Sequence, residues 1–216
     1  MLKPPKMLLI IAAIMLAACT PEQQAPPPPA DARAGEGAQP AAAPAPEASR
    51  QTPALAAVPT LTFLGWGPLR IGMTLAEIAA ALGPDADPEA VGGPEPEQCD
   101  QFRPARAPEG LLVMVEEGRL TRISLIRDAA IETDRGLKLG ATAAAVRAAH
   151  GPALVAMPHK YQDPPAEYLT FWSVGRPAQD VTDPAARGIR YEIGEDGRVA
   201  MIHAGGESIQ YVEGCL

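Results

Sequence analysis

Histidine and serine are the residues of this sequence that could most readily carry out chemistry. The three histidines could ligate a metal ion or act as general bases, but no pair has the HExxH spacing that places two ligands on one helical face. The four serines lack the GxSxG context of a hydrolase nucleophile, and there is no GxGxxG or P-loop sequence. We therefore predict no catalytic residue, no cofactor and no metal site. The histidines are His150, which we interpret as the polar end of a helix, His159 and His203.

The N-terminus has the organisation of a secretory signal peptide. Two lysines precede an apolar run from Met7 to Ala18, which is too short to span a bilayer. The sequence "LAAC", ending at Cys19, resembles the lipobox of bacterial lipoproteins. This resemblance implies that residues 1–18 are cleaved and that Cys19 carries lipid, palmitate included, which anchors the chain in a membrane. Thr20 then implies the outer membrane, with the folded domain in the periplasm; an ordinary secreted protein is the alternative.

Two further cysteines, Cys99 and Cys215, remain once Cys19 is assigned to lipid. The compartment is oxidising, so we predict a disulfide between them. Two free thiols or a metal site are the alternatives, although the CxxC spacing of a metal site is missing.

Residues 19–59 differ in composition from the rest of the chain. They are rich in proline and alanine and contain no aromatic residue, which predicts a disordered tether behind the lipid anchor. The formal net charge of the sequence is −8, and basic runs are missing. An acidic chain of this kind is not expected to bind nucleic acid.

The elements that must position the remaining residues appear twice. "PLRIGMTLAEIAAALGP", from residue 68, returns as "GLKLGATAAAVRAAHGP" from residue 136. Each copy predicts a short helix with a threonine N-cap, Thr74 or Thr142, and a Gly-Pro stop. Glu77 completes a capping box in the first copy. In the second copy Ala145 has no carboxylate, so only the threonine half of the box is expected.

Strands are predicted after each helix. "LLVMVEEGRLTRISLI" and "GIRYEIGEDGRVAMIHA" read as hairpins with the same turn, each preceded by another strand at 98–103 or 168–174. A loop is predicted at 175–188. The sequence therefore predicts an α+β fold of two tandem helix-plus-antiparallel-sheet repeats, at 60–130 and 131–216. It leaves open whether the repeats share one curved sheet with the helices on one face.

The helix motif resembles that of the SmpA/OmlA, or BamE-like, outer-membrane lipoproteins. The first copy matches it more fully than the second, which lacks the methionine and the acidic residue. The tandem arrangement resembles the β-lactamase-inhibitor protein architecture. These resemblances imply an α+β fold more than a function. Together with the missing catalytic motifs, they favour a non-enzymatic envelope protein. The matching residues are Ile71, Gly72, Met73, Thr74, Glu77, Ile78 and Leu82 to Pro84 in the first copy, and Leu139, Gly140, Thr142, Val146, Gly151 and Pro152 in the second.

Aromatic residues are the candidates for binding. We predict that the domain binds another envelope protein, as an assembly factor or an inhibitor; a peptidoglycan- or carbohydrate-binding module is the alternative. The rings could instead fill the core between sheet and helices. The candidate partner-binding residues are Trp66, Tyr161, Tyr168, Trp172, Tyr191 and Tyr211.

Overall fold

A computed structural model describes residues 58–90, 92–177 and 180–215 of the chain. The predicted signal peptide, Cys19 and the predicted tether up to residue 57 lie outside the described residues. In the described ranges, no helix combines the length and the apolar character needed to cross a membrane.

The fold is α+β, with two short helices and a large antiparallel sheet. Seven strands form this sheet in the order β3-β4-β5-β9-β8-β7-β6, and β1 and β2 form a separate small sheet. The elements are β1 (Gly65–Trp66), β2 (Leu69–Arg70), α1 (Leu75–Leu82), β3 (Cys99–Phe102), β4 (Leu111–Glu116), β5 (Arg119–Leu125), α2 (Ala143–His150), β6 (Leu154–Pro158), β7 (Glu167–Trp172), β8 (Gly188–Ile193) and β9 (Val199–Gly205).

Both helices begin where the cap residues predict. The Thr74 hydroxyl accepts a hydrogen bond from the N–H of Glu77, and the Glu77 carboxylate accepts one from the N–H of Thr74, so the capping box is confirmed. Thr142 caps α2 through the N–H of Ala145 alone. The helices end before Gly83 and Gly151, both of which have positive φ.

The two hairpins are present, but their turns differ. β4 and β5 are joined by Glu117 and Gly118 alone, both with positive φ, as in a two-residue turn of type I′. β8 and β9 are joined by the longer segment 194–198, closed by a hydrogen bond from the N–H of Gly194 to the carbonyl of Arg198. The prediction of one shared turn is therefore wrong, because the extra residues of the second hairpin change the loop length and with it the turn type.

The helices and the main core lie on one face of the seven-stranded sheet. Ile78 and Leu82 of α1 and Val146 of α2 are buried in one hydrophobic cluster with alternate residues of the strands, such as Ile123 and Ile202. Side chains alternate between faces along a strand, so the residues between these apolar positions point to the opposite face.

The opposite face is covered by the segment that follows β9. A 3-10 turn at Glu207–Gln210 begins this segment, and Ile209 packs with Trp172 in a second, smaller cluster that includes part of the predicted loop, Val181 and Ala186. The segment ends at Cys215, which forms a disulfide with Cys99 of β3, so the predicted pairing is confirmed. The segment thus forms a second layer over part of this face.

Candidate functional site

Polar side chains are concentrated on the face of the sheet that the C-terminal segment covers. In β5, Ile123 and Leu125 face the helices, which places Arg122 and Ser124 on the opposite face. By the same alternation, β8 contributes Glu192 and β9 contributes His203. These residues lie in the middle of apolar strands, where a polar side chain requires a partner.

Three of them, Ser124, His203 and Glu192, lie next to one another side chain to side chain, and His159 from the loop after β6 joins them; we call these four residues the polar cluster. Ser124 Oγ lies 2.8 Å from His203 Nδ1, and His203 Nε2 lies 4.0 Å from Glu192 Oε2. The other carboxylate oxygen, Glu192 Oε1, is 3.1 Å from His159 Nε2. The polar cluster therefore runs from strand β5 across β9 and β8 to the loop after β6.

Backbone contacts fix the tautomer of His159 in this cluster. Its Nδ1 accepts hydrogen bonds from the N–H groups of Tyr161 at 3.1 Å and Gln162 at 3.2 Å. A ring nitrogen that accepts carries no hydrogen, so the proton of the neutral imidazole resides on Nε2 and is donated to Glu192.

Burial determines the charge states in the polar cluster. Desolvation lowers the pKa of His203 to about 4, so this imidazole is neutral at pH 7. Burial alone would raise the pKa of Glu192, but the two facing imidazole groups outweigh it and lower that pKa below its usual value. The polar cluster thus holds one carboxylate between two imidazoles.

Two buried arginines tie the C-terminal segment to the sheet beside the polar cluster. Arg122 donates to the carbonyl oxygens of Ser208 at 3.0 Å and Tyr211 at 3.1 Å. Arg190 donates to the carbonyl of Gln210 at 3.0 Å, and its guanidinium lies 4.6 Å from the ring of Tyr168. Burial lowers the pKa of Arg122 to about 10. These arginines therefore have a structural role, because they satisfy backbone carbonyls that the covered face removes from water.

A cleft of about 390 Å³ opens above the polar cluster; we call it the sheet cleft. Its floor includes Glu192 and His203, and Met201 contributes an apolar wall. Two tyrosines stand at its edge: Tyr161 is 62% exposed and Tyr211 is 38% exposed. The sheet cleft therefore combines a buried charge with accessible aromatic rings.

The six predicted partner-binding residues do not share one surface. Only Tyr161 and Tyr211 are exposed, and both border the sheet cleft. The other four rings are buried and pack inside the domain. The prediction that they contact a partner is therefore corrected. Trp66 donates to the carbonyl of Pro59, Tyr168 stacks on His159, Trp172 belongs to the smaller cluster, and Tyr191 lies in the main core.

His150 is also placed differently from the sequence interpretation. It ends α2 as predicted, but its ring is buried, and its Nε2 lies 3.0 Å from the hydroxyl of Tyr191. Desolvation lowers the pKa of His150, so the side chain is a neutral core residue and not a cation at the helix terminus.

The polar cluster has the residue types of a Ser–His–acid triad but not its surroundings. Ser124 lies inside β5, which is paired with β4 on one side and β9 on the other. Its neighbouring N–H groups therefore serve the sheet and are not free to stabilise an oxyanion. Within the described ranges, no three side chains of His, Cys, Asp or Glu are arranged to hold a metal ion.

Comparison with known proteins gives one weak likeness. No protein-family model matches the chain, and no curated protein matches it. Among solved structures, it is similar to a DUF4309 family protein, YjgB, from Bacillus subtilis subsp. subtilis str. 168, with 17% sequence identity and a TM-score of 0.39. The match covers 62% of this chain and 78% of that chain. A likeness at this level assigns neither a family nor a function.

Sequence reasoning missed Arg122, Ser124 and Glu192. The available signal was the polar residue at every second position of otherwise apolar strands. In an open sheet this alternation indicates a solvated face, and only the covering segment turns it into a buried network.

Proposed function

We propose that the protein is a non-enzymatic, lipid-anchored protein of the outer membrane whose periplasmic domain binds another envelope protein. The anchor rests on the lipobox-like "LAAC" and on Cys19. A bond between Cys99 and Cys215 is consistent with an oxidising compartment.

We further propose that the domain is a tandem duplication of a BamE-like unit. The strand order supports this, because each half contributes consecutive strands and the halves meet at β5 and β9. A register shift follows Met114 in one hairpin and Glu192 in the other, at corresponding positions. Two threonine-capped helices on one face add to the correspondence.

The sheet cleft is the proposed contact site for the partner. The observation that carries the proposal is that both exposed rings of the predicted set, Tyr161 and Tyr211, border this one cleft. Tyrosine offers an apolar ring and a polar hydroxyl at little conformational cost, which is why interfaces are enriched in it. Glu192 on the floor adds a fixed charge that can select among partners.

Site-specific photocrosslinking in intact cells tests this proposal. A photoreactive residue at position 161 should give one discrete protein adduct, and Tyr211→Ala should reduce its yield. The matched control places the same residue at Leu64, which is also exposed (53%) but lies outside the sheet cleft. No adduct at position 161, or equal adducts at both positions, would contradict the proposal.

A carbohydrate- or peptidoglycan-binding module is the second candidate, and one arrangement favours it. The exposed ring of Tyr161 adjoins the Gln162 amide and the Glu192 carboxylate in the same cleft, as sugar binding requires. Lys160 Nζ lies over the ring, 5.2 Å from its centroid. Cosedimentation with purified peptidoglycan that Tyr161→Ala abolishes, without any protein adduct at position 161, would favour this candidate over the first.

A further inference from the structure

Helix α2 and strand β7 are joined by an ion pair on the helix side of the sheet. Arg147 Nη2 lies 2.5 Å from Glu167 Oε2. Arg147 is the fifth residue after the cap Thr142, and Glu167 pairs across the sheet with Ile193. The Arg147 side chain thus fills the space between helix α2 and strand β7.

The corresponding positions of α1 and β3 keep the carboxylate but not the arginine. Ala79 is the fifth residue after the cap Thr74. In the second hairpin, Glu167 pairs with Ile193, and Ile193 pairs with the second residue after Gly197 of the turn. In the first hairpin, Asp100 pairs with Val115, and Val115 pairs with the second residue after Gly118 of the turn. Asp100 therefore occupies the place of Glu167, while Ala79 replaces the cation.

The missing side chain leaves a groove between α1 and β3; we call it the α1 groove. It has a volume of about 460 Å³ and is bordered mainly by apolar side chains, among them Leu75, Ala79 and Phe102. Leu75 is half exposed. Two carboxylates, Asp85 and Asp100, also border it. The α1 groove thus offers an apolar wall and two acidic groups to the same ligand.

Asp100 has no cationic partner among the described residues. Neither Asp100 nor Asp85 takes part in an ion pair there. Burial and the like charge of Asp85 raise the pKa of Asp100, while a hydrogen bond from the Gln101 N–H lowers it less. The nearby Arg106 donates instead to the carbonyl of Ala80 at 3.1 Å.

We propose that the α1 groove binds an arginine side chain of a partner protein, its aliphatic stem on Ala79 and its guanidinium on Asp100 and Asp85. Guanidinium is favoured over ammonium because its planar fork can address two carboxylates at once. The stem replaces the apolar contacts that an alanine cannot make. The site lies on the helix side of the sheet, so it does not depend on the sheet cleft.

A peptide titration observed by NMR tests the proposal. The ¹⁵N-labelled full chain, in detergent micelles, is titrated with acetyl-Ala-Arg-Ala-amide and with the same peptide carrying citrulline, which has the shape of arginine without its charge. The arginine peptide should shift the amide signals of residues 76–79 and 100–102 and bind about tenfold more tightly than the citrulline peptide. Equal affinity for both peptides, or shifts elsewhere only, would overturn the proposal.

Three variants give matched controls. Asp100→Asn should weaken binding about tenfold. Ala79→Arg should block it, because the new side chain would fill the α1 groove as Arg147 fills the space beside Glu167. Arg147→Ala, which leaves the α1 groove unaltered, should keep the wild-type affinity for the arginine peptide. Unchanged binding in Asp100→Asn and Ala79→Arg would refute the assignment.

Two other occupants of the groove would also refute it. A second copy of the chain would appear in sedimentation as a dimer that Asp100→Asn dissociates. An arginine from residues 1–57 would appear as shifts of the groove amides when that segment is deleted.

Discussion

The buried imidazole of His203 makes the stability of the domain depend on pH. In the unfolded chain this group titrates near its usual value of 6.5, whereas in the folded protein burial lowers its pKa to about 4. Between pH 6.5 and about pH 4, His203 is protonated in the unfolded chain but neutral in the folded domain. Stability therefore falls as the pH falls through this window.

The magnitude follows from these two pKa values. Going from pH 7 to pH 5 protonates almost all of the unfolded His203 and little of the folded one. With about 1.4 kcal/mol for each pKa unit, this lowers the free energy of unfolding by about 2 kcal/mol. The lowered pKa of Glu192 acts in the same direction but at lower pH, because its stabilisation is lost only as the carboxylate becomes protonated.

Urea unfolding of wild type and of His203→Gln at pH 7 and pH 5 measures this contribution. The variant lacks the titrating group, so its loss of stability between the two pH values should be smaller than that of wild type by about 2 kcal/mol. Tyr161→Phe, at the exposed edge of the sheet cleft, is the control and should keep the wild-type pH dependence. If His203→Gln loses as much stability as wild type, the imidazole is not the source and the reasoning fails.

Three further predictions concern the backbone, the disulfide and the anchor. Gly205→Ala should lower the free energy of unfolding by more than about 3 kcal/mol in urea unfolding. Gly205 has φ +152°, and a Cβ there would lie 2.1 Å from the Thr121 carbonyl oxygen. A near-neutral effect would contradict the pairing of β5 with β9. Replacing Cys99 and Cys215 together by serine should lower the free energy of unfolding by up to about 5 kcal/mol, since the bond closes a loop with a sequence separation of 116; a change below about 1 kcal/mol would show that the C-terminal segment stays ordered without it. Cys19→Ser should leave residues 1–18 uncleaved and abolish palmitate labelling, and labelled Cys19→Ser protein would refute the lipobox interpretation.

The elements that the sequence predicts correctly are those that local chemistry specifies. Thr74 and Thr142 each satisfy an N–H two residues inside the helix start, and glycine with positive φ ends each helix. Hairpin strands are specified by their apolar runs and by the turn between them. Such signals lie within a few residues of the element that they determine, so no tertiary knowledge is needed.

Strand β6 shows what local chemistry does not specify. Its run Leu154–Pro158 directly follows the Gly-Pro stop of α2, and it forms a strand because β7 offers it an edge. The burial of His150 likewise depends on Tyr191, which is 41 residues away in sequence. Contacts between distant segments determine both the strand β6 and the burial of His150. The local periodicity of the sequence does not contain this information.

The candidate site was predicted only at its exposed edge. Tyr161, in a predicted loop, and Tyr211, in a predicted β region, are candidates through their ring chemistry. Ser124 and Glu192 carry no prediction, because polar residues that alternate with apolar ones are typical of a solvated strand face. The difference arises from residues 207–215, which cover part of that face and accept hydrogen bonds from its buried arginines. The run "SIQYVEG" in this segment predicts a short closing strand, whereas the structure has a 3-10 turn at Glu207–Gln210. The local sequence does not indicate that the segment covers a face of the sheet.

The place of this covering segment has a consequence for biosynthesis. The ribosome makes β5, with its buried Arg122, long before it makes residues 207–215, whose carbonyls are the acceptors of that arginine. The partner strand β9 is also made late, so β5 remains an unpaired edge during translation. The domain therefore completes its fold only after residue 215 has been synthesised. Until then, the free edge of β5 can pair with strands of other chains.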